Sequence, residues 1–149
     1  MKIFFIAFIL TAILVSCKQQ SSETIIAKAP VDSLIRNWSN SWNNHDSAGV
    51  RNLFVADALL IDNNLIASNM QETSDKWIQP NINAVQNFKT STLQQWSTSD
   101  RAGYTGNYEF DYALNDSAMT KAKGVFTVNW IKTTKGEWKI TIADIHSIH

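Results

Sequence analysis

The side chains best placed for acid–base chemistry in this sequence are Asp62, Asp144 and His146. Asp144 and His146 stand two residues apart on a predicted strand, so both would share a face and the carboxylate could orient the imidazole as a base. Asp62 ends an apolar run, and a carboxylate in an apolar pocket acquires a raised pKa that suits a general base. Simpler interpretations stay open: Asp62 can start an Asn63-Asn64 turn, and the other two can form a polar pair at the rim of a sheet.

Composition argues against several other kinds of chemistry. The 3 histidines are scattered without the fixed spacing of a metal site, so neither a metal nor another cofactor is predicted. The formal net charge is zero and no basic stripe is present, so nucleic acid is not a predicted partner. Cys17 is the single cysteine, which excludes an internal disulfide and a thiolate metal cluster.

Cys17 follows a short apolar run that begins after one lysine. Residues 3–15 are apolar except for Thr11, and this run is shorter than the ~20 apolar residues that span a bilayer. The sequence Leu14-Val15-Ser16-Cys17 resembles the lipobox of bacterial lipoproteins, which implies cleavage before Cys17 and acylation of its thiol. An ordinary secretory signal with an incidental cysteine is the alternative. We expect a signal peptide over 1–16, a lipidated Cys17 with a flexible tether over 17–29, and a place in the cell envelope, anchored to a bacterial membrane on its periplasmic or surface side.

The chain is also rich in aromatic residues, with 6 tryptophans and 3 tyrosines in 149 residues. Such rings can line an apolar pocket or can simply fill the core, and one ring can do both. The sequence predicts a mostly apolar ligand pocket with Asp62 near its mouth. The expected wall residues are Trp38, Trp42, Tyr104, Tyr108 and Trp130.

Hydrophobic periodicity predicts helices in the first part of the domain. Residues 31–45 carry apolar side chains at helical spacing on one face. A second, short helix is capped by Asp46 or Ser47. Residues 71–88 have a helical pattern that Pro80 interrupts, which predicts a kinked helix or two short ones.

Strands dominate the rest of the chain. Short strands are predicted at 57–62 and 65–67, and longer ones at 90–98, 104–114, 122–132 and from residue 138 onward. Simple alternation in the last strand would place on one face Trp138, Ile140, Ile142, Asp144, His146 and Ile148. Helices followed by strands with tight turns predict an α+β domain, in which the helices pack on a curved antiparallel sheet and leave a cavity. The outer sheet face is mostly polar, so a homodimer through it would have a modest interface.

Three segments resemble the nuclear transport factor 2-like superfamily, in the branch of small bacterial SnoaL-like domains that includes domain of unknown function 4440. They are the aromatic helix and turn Trp38-Ser-Asn-Ser-Trp-Asn-Asn-His-Asp46 with Leu53-Phe-Val-Ala-Asp57-Ala, the strand entry Ser99-Asp-Arg-Ala-Gly-Tyr-Thr-Gly-Asn-Tyr108, and the paired strands Gly124-Val-Phe-Thr-Val-Asn-Trp-Ile-Lys132 and Lys135-Gly-Glu-Trp-Lys-Ile140. The resemblance implies a single cone-shaped domain over 30–149, with a pocket at one end.

Ketosteroid isomerase, a member of that superfamily, uses a carboxylate base and two hydrogen-bond donors, a tyrosine and a protonated aspartate. In a gapless alignment the base falls on Asp62, but the tyrosine falls on Trp38 and the second acid near Val128. Valine donates no hydrogen bond, and an indole N–H cannot transfer a proton. We therefore expect a lipid-anchored domain that binds a small, largely apolar molecule without identified catalysis. The alternative is a SnoaL-like isomerase, cyclase or hydratase that uses Asp62 or the Asp144/His146 pair as general acid/base.

Overall fold

The computed structural model describes residues 28–113 and 118–148, so the signal peptide, Cys17 and most of the expected tether lie outside the described residues. None of the helices described is long and apolar enough to cross a membrane. Two helices, a β-hairpin, a third helical segment and four long strands follow one another. They are α1 (Val31–Asn43), α2 (Ser47–Asn52), β1 (Phe54–Asp62), β2 (Leu65–Ala67), α3 (Met70–Thr73), a π-helical turn (Ser74–Ile78), α4 (Gln79–Asn81), β3 (Val85–Ser97), β4 (Arg101–Tyr112), β5 (Thr120–Lys132) and β6 (Trp138–Ser147).

The six strands form one sheet in the order β2-β1-β6-β5-β4-β3. The expectation of a purely antiparallel sheet is wrong at one pairing, because β1 and β6 run parallel. The helical segment after β2 carries the chain to the far edge of the sheet, and three antiparallel pairings then bring β6 back beside β1. The fold is therefore α+β with a mixed sheet, and β6 lies between the first hairpin and the other strands.

Helix α1 packs one side against the sheet. Its buried residues are Val31, Ile35, Trp38 and Trp42, which are the apolar positions that the helical spacing predicts. The helix ends two residues earlier than expected, at Asn43. His45 then adopts a left-handed backbone with φ 53°, and its Nδ1 lies 2.6 Å from the carbonyl oxygen of Ile82. A carbonyl oxygen only accepts, so Nδ1–H donates this bond and ties the turn to the third helical segment.

Helix α2 begins as predicted. The side chain of Asp46 accepts a hydrogen bond of 2.7 Å from the backbone N–H of Gly49, which satisfies one of the free donors of the first turn.

The third helical segment is shorter than the expected 71–88. It runs through α3, the π-helical turn and α4, with Pro80 inside α4, and β3 already begins at Val85. Val85 and Gln86 pair with Tyr112 and Asp111 of β4. This long-range pairing overrides the local helical pattern, because the ladder bonds and burial it provides outweigh small differences in propensity.

A β-bulge in β6 changes which side chains face the helices. Asn129 pairs with Ile142 and Trp130 pairs with Ile140, so Thr141 is an extra residue on β6. An extra residue inverts the alternation beyond it. The expected face that unites Trp138 with His146 is therefore wrong.

Beyond the bulge, the buried side chains of β6 are Ala143 and Ile145. Asp144 and His146 consequently lie on the outer face of the sheet, away from the helices.

The core lies between the helices and the inner face of the sheet, and Trp38 is central in it. Trp38 is 2% exposed, and its ring lies 5.8 Å from Phe54, 6.0 Å from Trp77 and 6.2 Å from Phe126, measured between ring centroids. These neighbours come from β1, the π-helical turn and β5, so one side chain joins three parts of the fold.

We predict that Trp38→Ala lowers the free energy of unfolding by about 3–5 kcal/mol, the usual loss when a large buried aromatic is removed. Urea denaturation followed by circular dichroism measures this change. Trp96→Ala is the matched control, since Trp96 is 48% exposed, and it should cost less than about 1.5 kcal/mol. Equal losses in the two variants would show that Trp38 does not hold the core together.

Candidate functional site

A cavity of about 160 Å³ opens between the helices and the inner face of the sheet. Residues of α1, the π-helical turn, α4 and all strands except β2 contribute to its wall. Eight of the lining side chains are aromatic: Trp38, Trp42, Trp77, Phe88, Tyr108, Phe110, Tyr112 and Phe126. Of the described residues that line the cavity, Asp62 alone carries a formal charge at neutral pH.

Three indoles form the helical side of the cavity. Trp38 and Trp42 project from successive turns of α1, and Trp77 projects from the π-helical turn. The rings of Trp42 and Trp77 meet edge to face, with centroids 4.9 Å apart and planes at 79°. This is a favoured geometry for aromatic pairs, so the indole wall is well packed.

The sheet side carries a second aromatic group. Phe88 lies on β3, and Tyr108 and Phe110 are alternate residues of β4 that point to the same face. The Tyr108 and Phe110 rings are nearly parallel, at 15° with centroids 5.6 Å apart, and Phe88 lies 6.3 Å from Tyr108. Gly124 on β5 allows this arrangement, because a Cβ there would lie 2.5 Å from the Tyr108 hydroxyl.

Asp62 is the last residue of β1 and lines the cavity. The indole Nε1–H of Trp77 donates to one carboxylate oxygen at 2.7 Å, and the Asn63 side-chain amide donates to the other at 2.9 Å. Burial of the carboxyl raises the pKa of Asp62, while the bond from Trp77 and the charge of His146 oppose that rise in part.

A hydrogen-bond chain continues from Asp62 along one rim of the cavity. The Asn63 amide also donates to Ser147 Oγ at 3.1 Å, and the Ser147 hydroxyl lies 3.3 Å from the hydroxyl of Tyr108. Burial raises the pKa of Tyr108, and the nearby charge of Asp62 raises it further. The hydrogen bond with Ser147 lowers this pKa and offsets part of the rise. The cavity therefore has a polar rim built from the ends of β1 and β6 and the middle of β4.

A second polar contact lies on the helical side of the wall. The Tyr112 hydroxyl donates to Asn81 Oδ1 at 3.1 Å, and the Asn81 amide donates to the carbonyl of Trp77 at 2.8 Å. These bonds connect the end of β4 to the third helical segment. They also help to hold the Trp77 backbone in place.

The indole N–H of Trp38 has no such partner. Its Nε1 is buried, and no acceptor for it is found among residues 28–113 and 118–148. A buried donor without an acceptor costs about 1–3 kcal/mol. Although the Trp38 ring lines the cavity, its nitrogen is not exposed there, so a molecule in the cavity does not reach this N–H.

The structure brings four of the six expected pocket residues to the cavity: Trp38, Trp42, Asp62 and Tyr108. The other two, Tyr104 and Trp130, are buried but do not line it. Both lie farther along the sheet: Tyr104 pairs with Val128, and Trp130 pairs with Ala102. There they pack in the core away from the end where Asp62 lies, so, contrary to expectation, they do not form part of the wall of this cavity.

The Asp144/His146 pair does not reach the cavity. His146 Nε2 lies 3.0 Å from Asp144 Oδ1, so the two side chains do form the expected pair, but on the outer face of the sheet. The bulge at Thr141 is the reason, as it inverts the strand's alternation. General acid/base catalysis by this pair within the cavity is therefore excluded.

Sequence reasoning missed several wall residues, and Trp77 is the most important of them. Trp77 lies in a π-helical turn, where the ordinary helical spacing does not apply. Ser147 was missed because the bulge changes its face. Phe110 and Tyr112 share the alternation of Tyr108, so that pattern alone could have added them to the wall.

Within the described part of the chain, no group of three or more His, Cys, Asp and Glu side chains is arranged to hold a metal ion. The polar groups of the cavity are instead one carboxylate, two tyrosine hydroxyls, a serine hydroxyl, two amides and indole N–H groups.

Comparison with known proteins identifies the fold. No family model matches the chain, and a search of curated protein sequences finds no relative. The chain is similar in structure to a ketosteroid isomerase-like protein from Erwinia carotovora atroseptica, with a TM-score of 0.70, 14% identity, and coverage of 80% of this chain and 94% of that one. It is also similar to a nuclear transport factor 2-like superfamily protein from Salmonella enterica serovar Typhimurium, with a TM-score of 0.69, 11% identity, and coverage of 80% and 89%.

These likenesses show that the domain has the nuclear transport factor 2-like fold, as the sequence resemblance implied. One fold of this kind supports many different functions, so the function has to be argued from the cavity itself.

We predict that Asp62→Asn becomes more stable relative to the parent as the pH rises. The raised pKa means that the folded state holds the Asp62 proton to a higher pH than the unfolded chain, whose value is near 3.8. The parent therefore loses stability between 3.8 and the folded-state pKa, and an amide cannot titrate there. Urea unfolding of both proteins from pH 3 to 7 measures the difference.

Asp111→Asn is the control of opposite sign. Hydrogen bonds from Asn87 and Lys121 lower the pKa of Asp111 below its ordinary value of 3.8. The parent therefore gains stability from the Asp111 carboxylate as the pH rises toward 3.8, and it keeps that stability at higher pH. This variant should therefore become less stable relative to the parent as the pH rises. The same trend in both variants would contradict the stated environment of Asp62.

Proposed function

We propose that this domain binds a small, largely apolar molecule in the cavity between α1 and the sheet. The observation that carries the proposal is a cavity walled by eight aromatic rings and rimmed by a single carboxylate. Apolar walls with a few placed polar groups are the usual composition of small-molecule sites. The fold and its buried aromatic cluster are compatible with this use.

The volume of the cavity limits the size of the molecule. A cavity of about 160 Å³ is smaller than the roughly 300–1,000 Å³ of sites for drug-sized ligands. It is close to the ~150 Å³ of a cavity that accepts benzene. The proposed ligand is therefore of single-ring size, not a fused polycyclic compound such as a steroid.

Two polar groups would orient the ligand. The hydroxyl of Tyr108, which lines the cavity, can donate a hydrogen bond to a ligand oxygen. Asp62 can accept a further hydrogen bond, because its carboxylate has more acceptor sites than its two present bonds use.

A lipid anchor is part of the proposal. Leu14-Val15-Ser16-Cys17 follows an apolar run, and its resemblance to a lipobox supports attachment of Cys17 to a bacterial envelope membrane. A place in the SnoaL-like branch rests on the three resembling segments of the sequence. Pairing of two copies through the outer sheet face stays a prediction.

An enzymatic use of the same cavity is the second candidate, and one observation favours it. Asp62 has a raised pKa and lies in the same cavity as Tyr108, whose hydroxyl can donate a hydrogen bond. Asp62 would then be the base and Tyr108 the donor to a developing oxyanion. Binding without catalysis is favoured because Trp38 cannot transfer a proton and Val128, which is fully buried, donates nothing.

We predict that phenol binds the domain saturably with a Kd of about 1 mM or tighter, while a four-ring steroid does not bind in the cavity. The phenol ring suits the cavity volume, and its hydroxyl can donate to the Asp62 carboxylate. Isothermal titration and quenching of tryptophan fluorescence measure the binding.

The paired variants Ile145→Trp and Ile142→Trp locate the site. Ile145 lines the cavity, so a tryptophan there should fill it and abolish binding. Ile142 lies on the same strand with 39% exposure, so the same substitution there should leave binding intact. Equal binding in both variants would contradict the proposed site, and turnover of a bound ketone that disappears in Asp62→Asn would favour the enzyme.

We predict that the mature protein begins at an acylated Cys17. Mass spectrometry of the membrane fraction should find an N-terminal peptide that starts at Cys17 and carries fatty acids. Cys17→Ser removes the thiol that is acylated, so the variant should leave the membrane fraction or remain unprocessed. A parent chain with a free Cys17 thiol would disprove the anchor.

A further inference from the structure

We propose that the molecule bound in the cavity is a small methylated ammonium ion whose charge is balanced by Asp62. This inference rests on the proposed function, since it names the chemical class of the ligand for the same cavity. It goes further by giving that ligand a positive charge and a requirement for N-methyl groups.

Asp62 gives the described wall of the cavity its negative charge. Asp62 is half-buried at the cavity, and its two oxygens accept only from neutral donors, the indole of Trp77 and the amide of Asn63. None of the ion pairs found in residues 28–113 and 118–148 involves Asp62. The charge of His146 acts on Asp62, but from the outer face of the sheet, so the cavity side of the carboxylate meets no cationic side chain among the described residues. A partly desolvated carboxylate with no cation on its cavity side is stabilised when a cation enters the cavity.

The aromatic rings of the cavity wall also favour a cation. Cations are attracted to the faces of aromatic rings, most strongly to tryptophan, and quaternary ammonium groups are commonly recognised in this way. Trp38, Trp42 and Trp77 lie on the helical side of the cavity, and Phe88, Tyr108 and Phe110 lie on the sheet side. A cation between them is surrounded by rings from both sides, with Asp62 at the rim.

The same aromatic wall favours methylated over primary ammonium ions. Each N–H of a primary ammonium needs an acceptor when it leaves water, and a wall made mostly of rings offers few of them. A methylated ammonium ion has apolar methyl groups that pack on rings, and it gives up less hydration. The trimethylammonium head group has four heavy atoms against the six of benzene, so it fits a cavity of about 160 Å³.

The polar rim supplies the final element. The hydroxyls of Tyr108 and Ser147 line the cavity together with Asp62, so a ligand with an oxygen atom near its ammonium group can form a hydrogen bond with them. Choline has this combination of a trimethylammonium group and a hydroxyl oxygen. It is therefore the probe for the experiment.

The experiment compares three molecules on the parent protein at pH 7 by isothermal titration. They are choline, its neutral carbon isostere in which a tert-butyl group replaces the trimethylammonium group, and ethanolamine, which lacks the methyl groups. We expect choline to bind about tenfold more tightly than either of the others. This comparison needs no variant, so a failure to fold cannot obscure it.

Two variants then test whether the Asp62 carboxylate causes the preference for choline over the neutral isostere. Asp62→Asn removes the carboxylate with little change of shape, and it should reduce the preference for choline over the neutral isostere to about twofold or less. Asp57→Asn is the matched control, because Asp57 is an exposed residue of the same strand that does not line the cavity. It should keep the parent's preference, and both variants are checked for native circular dichroism.

The outcomes distinguish this inference from the proposed function. Equal binding of choline and the neutral isostere would show that the site does not require a positive charge. Tighter binding of ethanolamine than of choline would show that it does not require N-methyl groups. If phenol binds while choline does not, apolar binding stands and the cation is disproved. If neither phenol nor choline binds, both proposals fail.

Discussion

The indole of Trp77 joins the two parts of the site. Its ring packs edge to face on Trp42 at 4.9 Å and lies 6.0 Å from Trp38, while its N–H donates to Asp62 at 2.7 Å. One side chain thus positions the aromatic wall of the helices and the carboxylate at the end of β1. The π-helical turn presents it there, and the Asn81 amide bound to the Trp77 carbonyl supports that turn. Movement of Trp77 would alter the shape of the cavity and the pKa of Asp62 together.

The balance between burial and hydrogen bonding at Asp62 decides what the cavity can bind. Burial raises the pKa of the carboxyl, and the neutral donors beside it compensate only in part. A site of this kind favours either a ligand that brings a positive charge or a reaction that moves a proton. The missing second acid at Val128 and the indole at Trp38 weigh against the reaction. The aromatic rings, which add little to proton transfer, contribute directly to binding a cation or an apolar group.

The sheet limits where other chemistry can occur. Because Thr141 is an extra residue in β6, Ile145 and Ser147 face the cavity while Asp144 and His146 face outward. The Asp144/His146 pair, which has the composition of a carboxylate-oriented base, therefore lies on the opposite face of the sheet from the cavity. The same bulge places the Ser147 hydroxyl beside Tyr108 and Asn63, so it contributes to the polar rim as well.

Local patterns in the sequence determined the helical face with Trp38 and Trp42, the Asp46 cap, the turn after Asp62 and the alternation of β4. Each of these depends on contacts or spacing within a few residues, and the structure agrees with them. The order of helices and strands also determined the α+β class.

Tertiary structure alone decided the parallel pairing of β1 with β6, the early start of β3 at Val85, the bulge at Thr141 and the approach of Trp77 to Asp62. These features depend on partners far apart in the chain, and a local pattern of hydrophobic residues contains no information about which distant strand will pair in which register.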